Sequence, residues 1–517
     1  MKNEQMANAL NEIDDRYLAD AAAHKPRRGY WIAAVAAVLA IVIAISAIPG
    51  LHADPSGPNL DVPGTSSQND PSGTTDHNQA PEAPDDPIKE PGAFDMSAIL
   101  ALPDLKAAPT FPSMLQYPNR NDYSDDWHSF YEAENAWKQA QKDFYNQPEG
   151  YADSLTDFFR RSINEFLSGE ENGAYSPVNV YLAMAMLAET TDGNSRQQIL
   201  KLFGVDSIEQ LRTQVNYLWN AHYSNDGQTT LLLANSLWLD DAFHFRQETV
   251  DRLSGSYYAS VFGGDLGTDS SNAQLQAWLN AMTGGLLEEQ TKNVKLSPNT
   301  AFALASTIYF KAGWLEEFSK KATKEDVFHS NDGDITTQFM YSMQESVFFR
   351  GSNFGAVCLG LTGENSMWII LPDEGVTVAQ VLAGEEYMNL TLDPDAWSNK
   401  TRCILHIRLP KFDITKQSDL IAGMKNLGIT DVFSPAISDF TPMLQDGTRL
   451  FVSQINHAAR VAIDEEGVIA AAFTVIETDI ESVGPTTVIE FTVDRPFAFI
   501  VSSRDHLPLF AGVVTKP

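Results

Sequence analysis

Cysteine and basic side chains are scarce in this chain. Only Cys358 and Cys403 occur in 517 residues, too few for a disulfide scaffold. Cys403 alternates with Leu405, Ile407 and Leu409, the pattern of a core position on a strand; a single bridge to Cys358 stays open. Lys and Arg number 35 against 68 Asp and Glu, a net charge of −33. That sign argues against nucleic-acid partners, because phosphate binding draws on an excess of Lys and Arg. Common catalytic signatures are missing too: no Gly-x-Ser-x-Gly, His-Glu-x-x-His, Gly-x-Gly-x-x-Gly or Walker loop occurs. The ten histidines are scattered, with no pair at helical ligand spacing. Neither an enzyme active site, a metal nor a cofactor is expected.

What is present begins with a long uncharged run. Residues 1–28 are polar and end in Lys25, Arg27 and Arg28; Tyr30 to Ile48 then carries no charge, and Ser46 is its one polar residue besides the aromatic Tyr30. Nineteen helical residues at about 1.5 Å each just span a hydrocarbon core of ~30 Å. The basic flank upstream, with no Lys or Arg until Lys89, orients such a helix with 1–28 as a cytoplasmic tail and the remainder outside. The expected arrangement is a signal-anchor over 29–50 holding a single-pass protein at the plasma membrane, or a secreted protein if the segment is cleaved near Leu51-His52-Ala53. Residues 51–95 hold eight prolines with much Ser, Gly and Asp, which predicts a disordered stalk reaching roughly 40 Å. Residues 96–148 are a lead-in of unassigned role: Leu100, Leu102, Leu105 and Phe111 could dock on the next domain, and Trp127 to Tyr145 reads as a short helix.

From about 149 to 517 the pattern is globular, and an apolar content of 43% allows a substantial core. Leu155, Phe158, Phe159, Ile163, Phe166 and Leu167 share one helical face, as do Leu275, Trp278, Leu279 and Met282. The runs Thr230–Leu239, Ala301–Phe310, Ala356–Leu361 and Met367–Leu371 have the length and flanks of interior strands. Helices gather in the first half and strands in the second, without regular βαβ alternation or repeats. That favours an α+β fold.

The most telling stretch lies near the end, Asp464-Glu-Glu-Gly-Val-Ile-Ala-Ala-Ala-Phe-Thr-Val-Ile-Glu-Thr478, between the apolar segments Phe451–Ile463 and Val488–Val501. Its position is that of a loop, yet it is written in strand and small residues rather than turn residues. With a period of two, Val468, Ala470, Ala472, Thr474, Ile476 and Thr478 form an uncharged set. The alternate set, Ile469, Ala471, Phe473, Val475, Glu477 and Asp479, carries the charges. Such a segment is patterned to enter a sheet, with Gly467 as the pivot.

This stretch resembles the hinge and reactive-centre loop of the serpins, matching at Glu465, Glu466, Gly467, Ala470, Ala471, Ala472 and Thr474. It departs at Ile469, where the family usually has Glu, and at Phe473, where a small residue is usual. Other landmarks stand in family order: Asn172-Gly-Ala-Tyr-Ser-Pro-Val-Asn179, Ile308-Tyr-Phe-Lys-Ala-Gly-Trp314, Leu409-Pro-Lys-Phe412, Leu427-Gly-Ile429, Asp439-Phe440, Val452-Ser453, His457-Ala458-Ala459, Asp494-Arg-Pro-Phe497 and Leu509-Phe-Ala-Gly-Val513.

The resemblance implies the serpin fold, with helices around large mixed and antiparallel sheets and an exposed reactive loop. It implies a polar shutter beneath the main sheet at Ser176 and His457, with Asn179 where Ser is usual and Ser306 where Asn is usual. Trp314 matches the breach, where the loop begins to insert. The implied activity is suicide inhibition of extracellular serine proteases, which would be covalent partners of a monomer. Counting from Gly467 puts the reactive bond at Glu481–Ser482, with Ile480 or Ser482 as neighbouring choices for the attacked residue. The alternative is a non-inhibitory binding or carrier protein of the same fold.

Overall fold

Alternating and unbroken apolar runs assemble into two large sheets. The computed structural model describes residues 35–47, 99–103, 109, 111–112, 116, 125–225, 229–444, 447–466 and 487–517. In chain order the strands are β1 Val35–Ala47, β2 Ile99–Ala101, β3 Gly173–Tyr175, β4 Ser224–Asn225, β5 Thr230–Asp240, β6 Ala259–Gly264, β7 Thr300–Ala312, β8 Lys324–Ser330 and β9 Gly333–Arg350. They continue as β10 Phe354–Leu361, β11 Asn365–Pro372, β12 Lys400–Pro410, β13 Phe412–Asp419, β14 Leu450–Ile463, β15 Val488–Thr492, β16 Phe497–Ser502 and β17 Pro508–Val514. The first sheet runs β13-β14-β1-β7-β5-β6-β2, with β4 on β5; the second runs β15-β12-β9-β10-β11-β16-β17-β3, with β8 on β9. Among the described residues, only β5–β6 and β12–β15 pair in parallel.

The four apolar runs expected as interior strands are β5, β7, β10 and β11. Val488–Val501 divides into β15 and β16 around Asp494-Arg495-Pro496, where proline lacks the N–H a ladder needs. The two amphipathic helices are Thr156–Phe166 and Asp269–Met282. One core lies between the sheets and the helix Pro177–Thr190, which is buried along its whole length. A second cluster covers the opposite face of the first sheet, where Leu275, Trp278 and Leu279 pack over Trp238, Phe262 and Tyr309.

Part of the lead-in has a place as well. β2 adds an edge strand to β6, with Ile99 against the second cluster and Leu100 63% exposed. The helix expected from Trp127 spans Asp125–Tyr145. Phe111 meets Trp137 edge-on at 4.9 Å, and the Trp137 indole donates to Pro109 O at 3.1 Å. The stalk and the cytoplasmic tail lie outside the described residues.

The membrane-helix expectation for 29–50 is corrected at its centre: Val35–Ala47 is a strand in the first sheet. Among the described residues, no helix is long and apolar enough to cross a membrane. The physical reason is that β1 lies between two strands with both faces covered, so it needs an uncharged run just as a bilayer span does. Its β-branched Val and Ile residues favour the extended state. Ile41, Ile43 and Ile45 face the main core, and Ala40, Val42 and Ala44 face the second cluster. Cys403 is buried on β12 as expected, and both cysteines are free thiols. Burial pushes the Cys358 thiol up to about 11, so it stays protonated and unreactive near neutral pH.

Candidate functional site

Two features meet at the middle of the first sheet: the position between β14 and β7, and the turn where β14 ends. β14 runs into Asp464, Glu465 and Glu466, and each is held. The Trp314 indole donates to Asp464 O at 2.8 Å, and the Asp464 carboxylate accepts the Glu466 N–H at 3.0 Å. Burial pushes the Asp464 carboxyl up to about 6, against that hydrogen bond. Glu465 is 5% exposed; it accepts from Lys411 Nζ at 2.6 Å and Thr323 Oγ1 at 2.7 Å. Its carbonyl accepts the Phe318 N–H at 3.0 Å. Glu466 pairs with Lys320. Side chains around the start of β8 and between β12 and β13 thus fasten the last turn before Gly467.

Beyond that clamp, residues 467–486 lie outside the described residues, with Gly467, Val468, Ile469, Ala470, Ala471, Ala472, Phe473 and Thr474 of the expected hinge and the expected bond Glu481–Ser482. The segment leaves from the first sheet and returns to the second. The Ile404 N–H donates to Thr487 O at 2.8 Å, just before β15 pairs with β12.

Below the sheet, Ser176 caps the helix Pro177–Thr190 by accepting the Asn179 N–H at 3.2 Å. Asn179 then meets β7 twice: the Ser306 hydroxyl donates to Asn179 Oδ1 at 2.6 Å, and Asn179 Nδ2 donates to Ser306 O at 3.2 Å. A substituted Asn and a substituted Ser therefore bond to each other. His457 stands apart from them. It stacks on Tyr175 with centroids 5.6 Å apart, and neither ring nitrogen has a hydrogen-bond partner. Burial pushes its imidazole down to about 3, so it is neutral.

The reason for His457's isolation is β1. It runs antiparallel to both neighbours, from Ala36↔Ala462 to Ala47↔Leu450 on β14 with a register shift between Ala44 and Ile45, and from Val35↔Ala312 to Ser46↔Thr300 on β7 with a shift between Ile45 and Ser46. Ile41 pairs with His457 on one side and Ser306 on the other. Near the far end, Ser46 Oγ and Ser453 Oγ lie 2.8 Å apart. Sequence reasoning missed this occupant, although Ile41, Ile43 and Ile45 alternate with Ala and Val. It also missed Lys320, Thr323 and Lys411 as partners of the hinge acids. Lys411, inside Leu409-Pro-Lys-Phe412, carried the one visible signal.

The family model described as Serpin (serine protease inhibitor) matches residues 153–517. The chain is a serpin. It is 31% identical over 364 residues to leukocyte elastase inhibitor A of Rattus norvegicus, covering 66% of this chain and 92% of the relative. It is 28% identical over 364 residues to Serpin-Z2B of Triticum aestivum, covering 67% and 90%. The solved native state of the thermophilic serpin Tengpin aligns with a TM-score of 0.62 at 23% identity, over 72% of this serpin and 95% of Tengpin. The matched portion begins after β1, which is therefore an addition to the shared domain.

Proposed function

We propose that this serpin inhibits serine proteases as a suicide substrate, through cleavage of the loop and its insertion into the first sheet. One observation supports this most: the sheet accepts a strand between β14 and β7 that runs antiparallel to β14. That is the polarity a chain folding back at Gly467 must have. β1 is 13 residues long, one fewer than Val468–Glu481, the run up to the expected bond. The uncharged alternate set from Val468 to Thr478 suits burial there.

In the reaction, the protease serine Oγ attacks the Glu481 carbonyl with its histidine taking the proton. The bond to Ser482 N breaks, that nitrogen leaves as a protonated amine, and an ester to the protease remains. Insertion of the freed loop forms roughly a dozen backbone hydrogen bonds worth about 1 kcal/mol each net, besides buried side chains. A protease domain is stable by only about 5–15 kcal/mol, so insertion can distort the tethered enzyme before water hydrolyses the ester. An acidic Glu481 suits proteases that accept Glu or have a shallow, elastase-like pocket, and disfavours trypsin-like enzymes.

The test is incubation of a chain starting at Ile99, checked for cooperative melting, with a panel of serine proteases. A denaturant-resistant adduct and a released fragment beginning at Ser482 are expected. Loop cleavage without an adduct by any protease would instead favour a non-inhibitory binding or carrier protein.

A further inference from the structure

We propose that Val35–Ala47 is a resident plug: while it lies in the first sheet, it excludes the cleaved loop from the only gap between β14 and β7 and turns the inhibitor into an ordinary substrate. This rests on the insertion mechanism proposed above. A strand offers two hydrogen-bonding edges, and both edges of β1 are used along its length, by β14 and by β7. Nothing else fits between those strands, since adjacent strands lie about 4.8 Å apart.

β1 is also built for the position. Ile41, Ile43 and Ile45 are 0% exposed, and on its other face Ala40, Val42 and Ala44 leave room for the helix Asp269–Met282 and its cluster. Ser46 reaches the Ser453 hydroxyl. A second observation, independent of the fit, marks the plug as removable. His457 is buried with both nitrogens unpartnered, directly beside Ile41. With β1 gone and β14 drawn up to β7, His457 and Ser306 would become direct neighbours, and the orphaned imidazole would gain a hydroxyl partner. The plugged state therefore contains a local penalty that the open state relieves.

The test uses the full chain with Ala40→Cys and Ala458→Cys, which face each other across β1 and β14, and with Ile43→Asp as a separate full-chain variant. After oxidation, peptide mapping should find the engineered pair joined. When the loop is then clipped, the cross-linked chain should melt within about 2 °C of the unclipped one, whereas clipped Ile43→Asp should melt about 10 °C or more above its uncut form. Absence of the cross-link in the folded chain would overturn the plug, and so would a large rise in the melting temperature of the cross-linked chain on clipping. If the cross-link forms and only Ile43→Asp gains stability, yet no protease yields an adduct, the plug stands and the inhibitory reading fails. If Ile43→Asp does not fold, the cross-linked chain decides alone: an unchanged melting temperature on clipping supports the plug, and a large rise overturns it.

Discussion

His457 and Ser306 lie at one level of the first sheet and are held two strands apart by Ile41, which pairs with both. At the usual strand spacing that is about 9–10 Å, too far for any hydrogen bond. Ser306 bonds to Asn179 instead; neither ring nitrogen of His457 has a hydrogen-bond partner.

The imidazole makes stability depend on acid. His457 titrates at about 3 in the folded protein against an ordinary 6.5. Between those values the unfolded chain holds a proton that the folded chain refuses, so stability is full above pH 6.5 and is lost as pH falls toward 3, by up to about 1.4 kcal/mol per pH unit. Between pH 7 and pH 5, urea unfolding should show the about 2 kcal/mol lost at His457 offset in part by Asp464, whose raised carboxyl takes up its proton in the folded chain and gains stability as pH falls. The clean comparison is therefore with His457→Phe, which keeps the stacking on Tyr175 and should lose about 2 kcal/mol less than the wild type over this range; an equal loss would place the acid sensitivity elsewhere.

The clamp on the hinge acids should be measurable in the same way. Trp314→Phe removes the indole donor from Asp464 O, and Glu465→Gln weakens the pair with Lys411. Each should lower unfolding stability by about 1–3 kcal/mol. Because Phe318 and Lys411 hold the same turn, the double variant should lose less or more than the sum of the two single losses. Strict additivity would show that the two contacts act separately.

The loop's own chemistry is tested by Ala472→Arg in the chain starting at Ile99. If insertion buries this position, a guanidinium there costs several kcal/mol. The variant should be cleaved at an unchanged rate but yield little adduct. An undiminished adduct would show that Ala472 does not enter the sheet.

Much of this architecture was legible because each segment had one environment to satisfy. β5, β7, β10 and β11 are unbroken apolar runs that match interior strands, and the helices Thr156–Phe166 and Asp269–Met282 show single apolar faces. Trp314, Ser176 and His457 were singled out from family landmarks; Ser176 and Trp314 hold hydrogen bonds, whereas His457 stands outside the expected polar cluster, and Asn179 bonds Ser306 without it. Within the 29–50 segment, Val35–Ala47 was read as helix rather than strand because a bilayer span and a strand buried on both faces require the same thing, a long run without charge. Composition does not separate them; only the neighbours β14 and β7, hundreds of residues away, do so. The partners of Glu465 and Glu466 were hidden for the same reason, since Thr323 and Lys411 come together with them only in the fold.

Hydrogen exchange of the backbone from Val35 to Ala47 in the full-length protein bears most directly on the plug. With ladders on both edges, these amides should be protected to the same degree as those of β7 and β14, and Ile43→Asp should abolish that protection. Exchange of 35–47 at the rate of an unstructured peptide, beside protected β7 and β14, would show that the sheet holds no such strand.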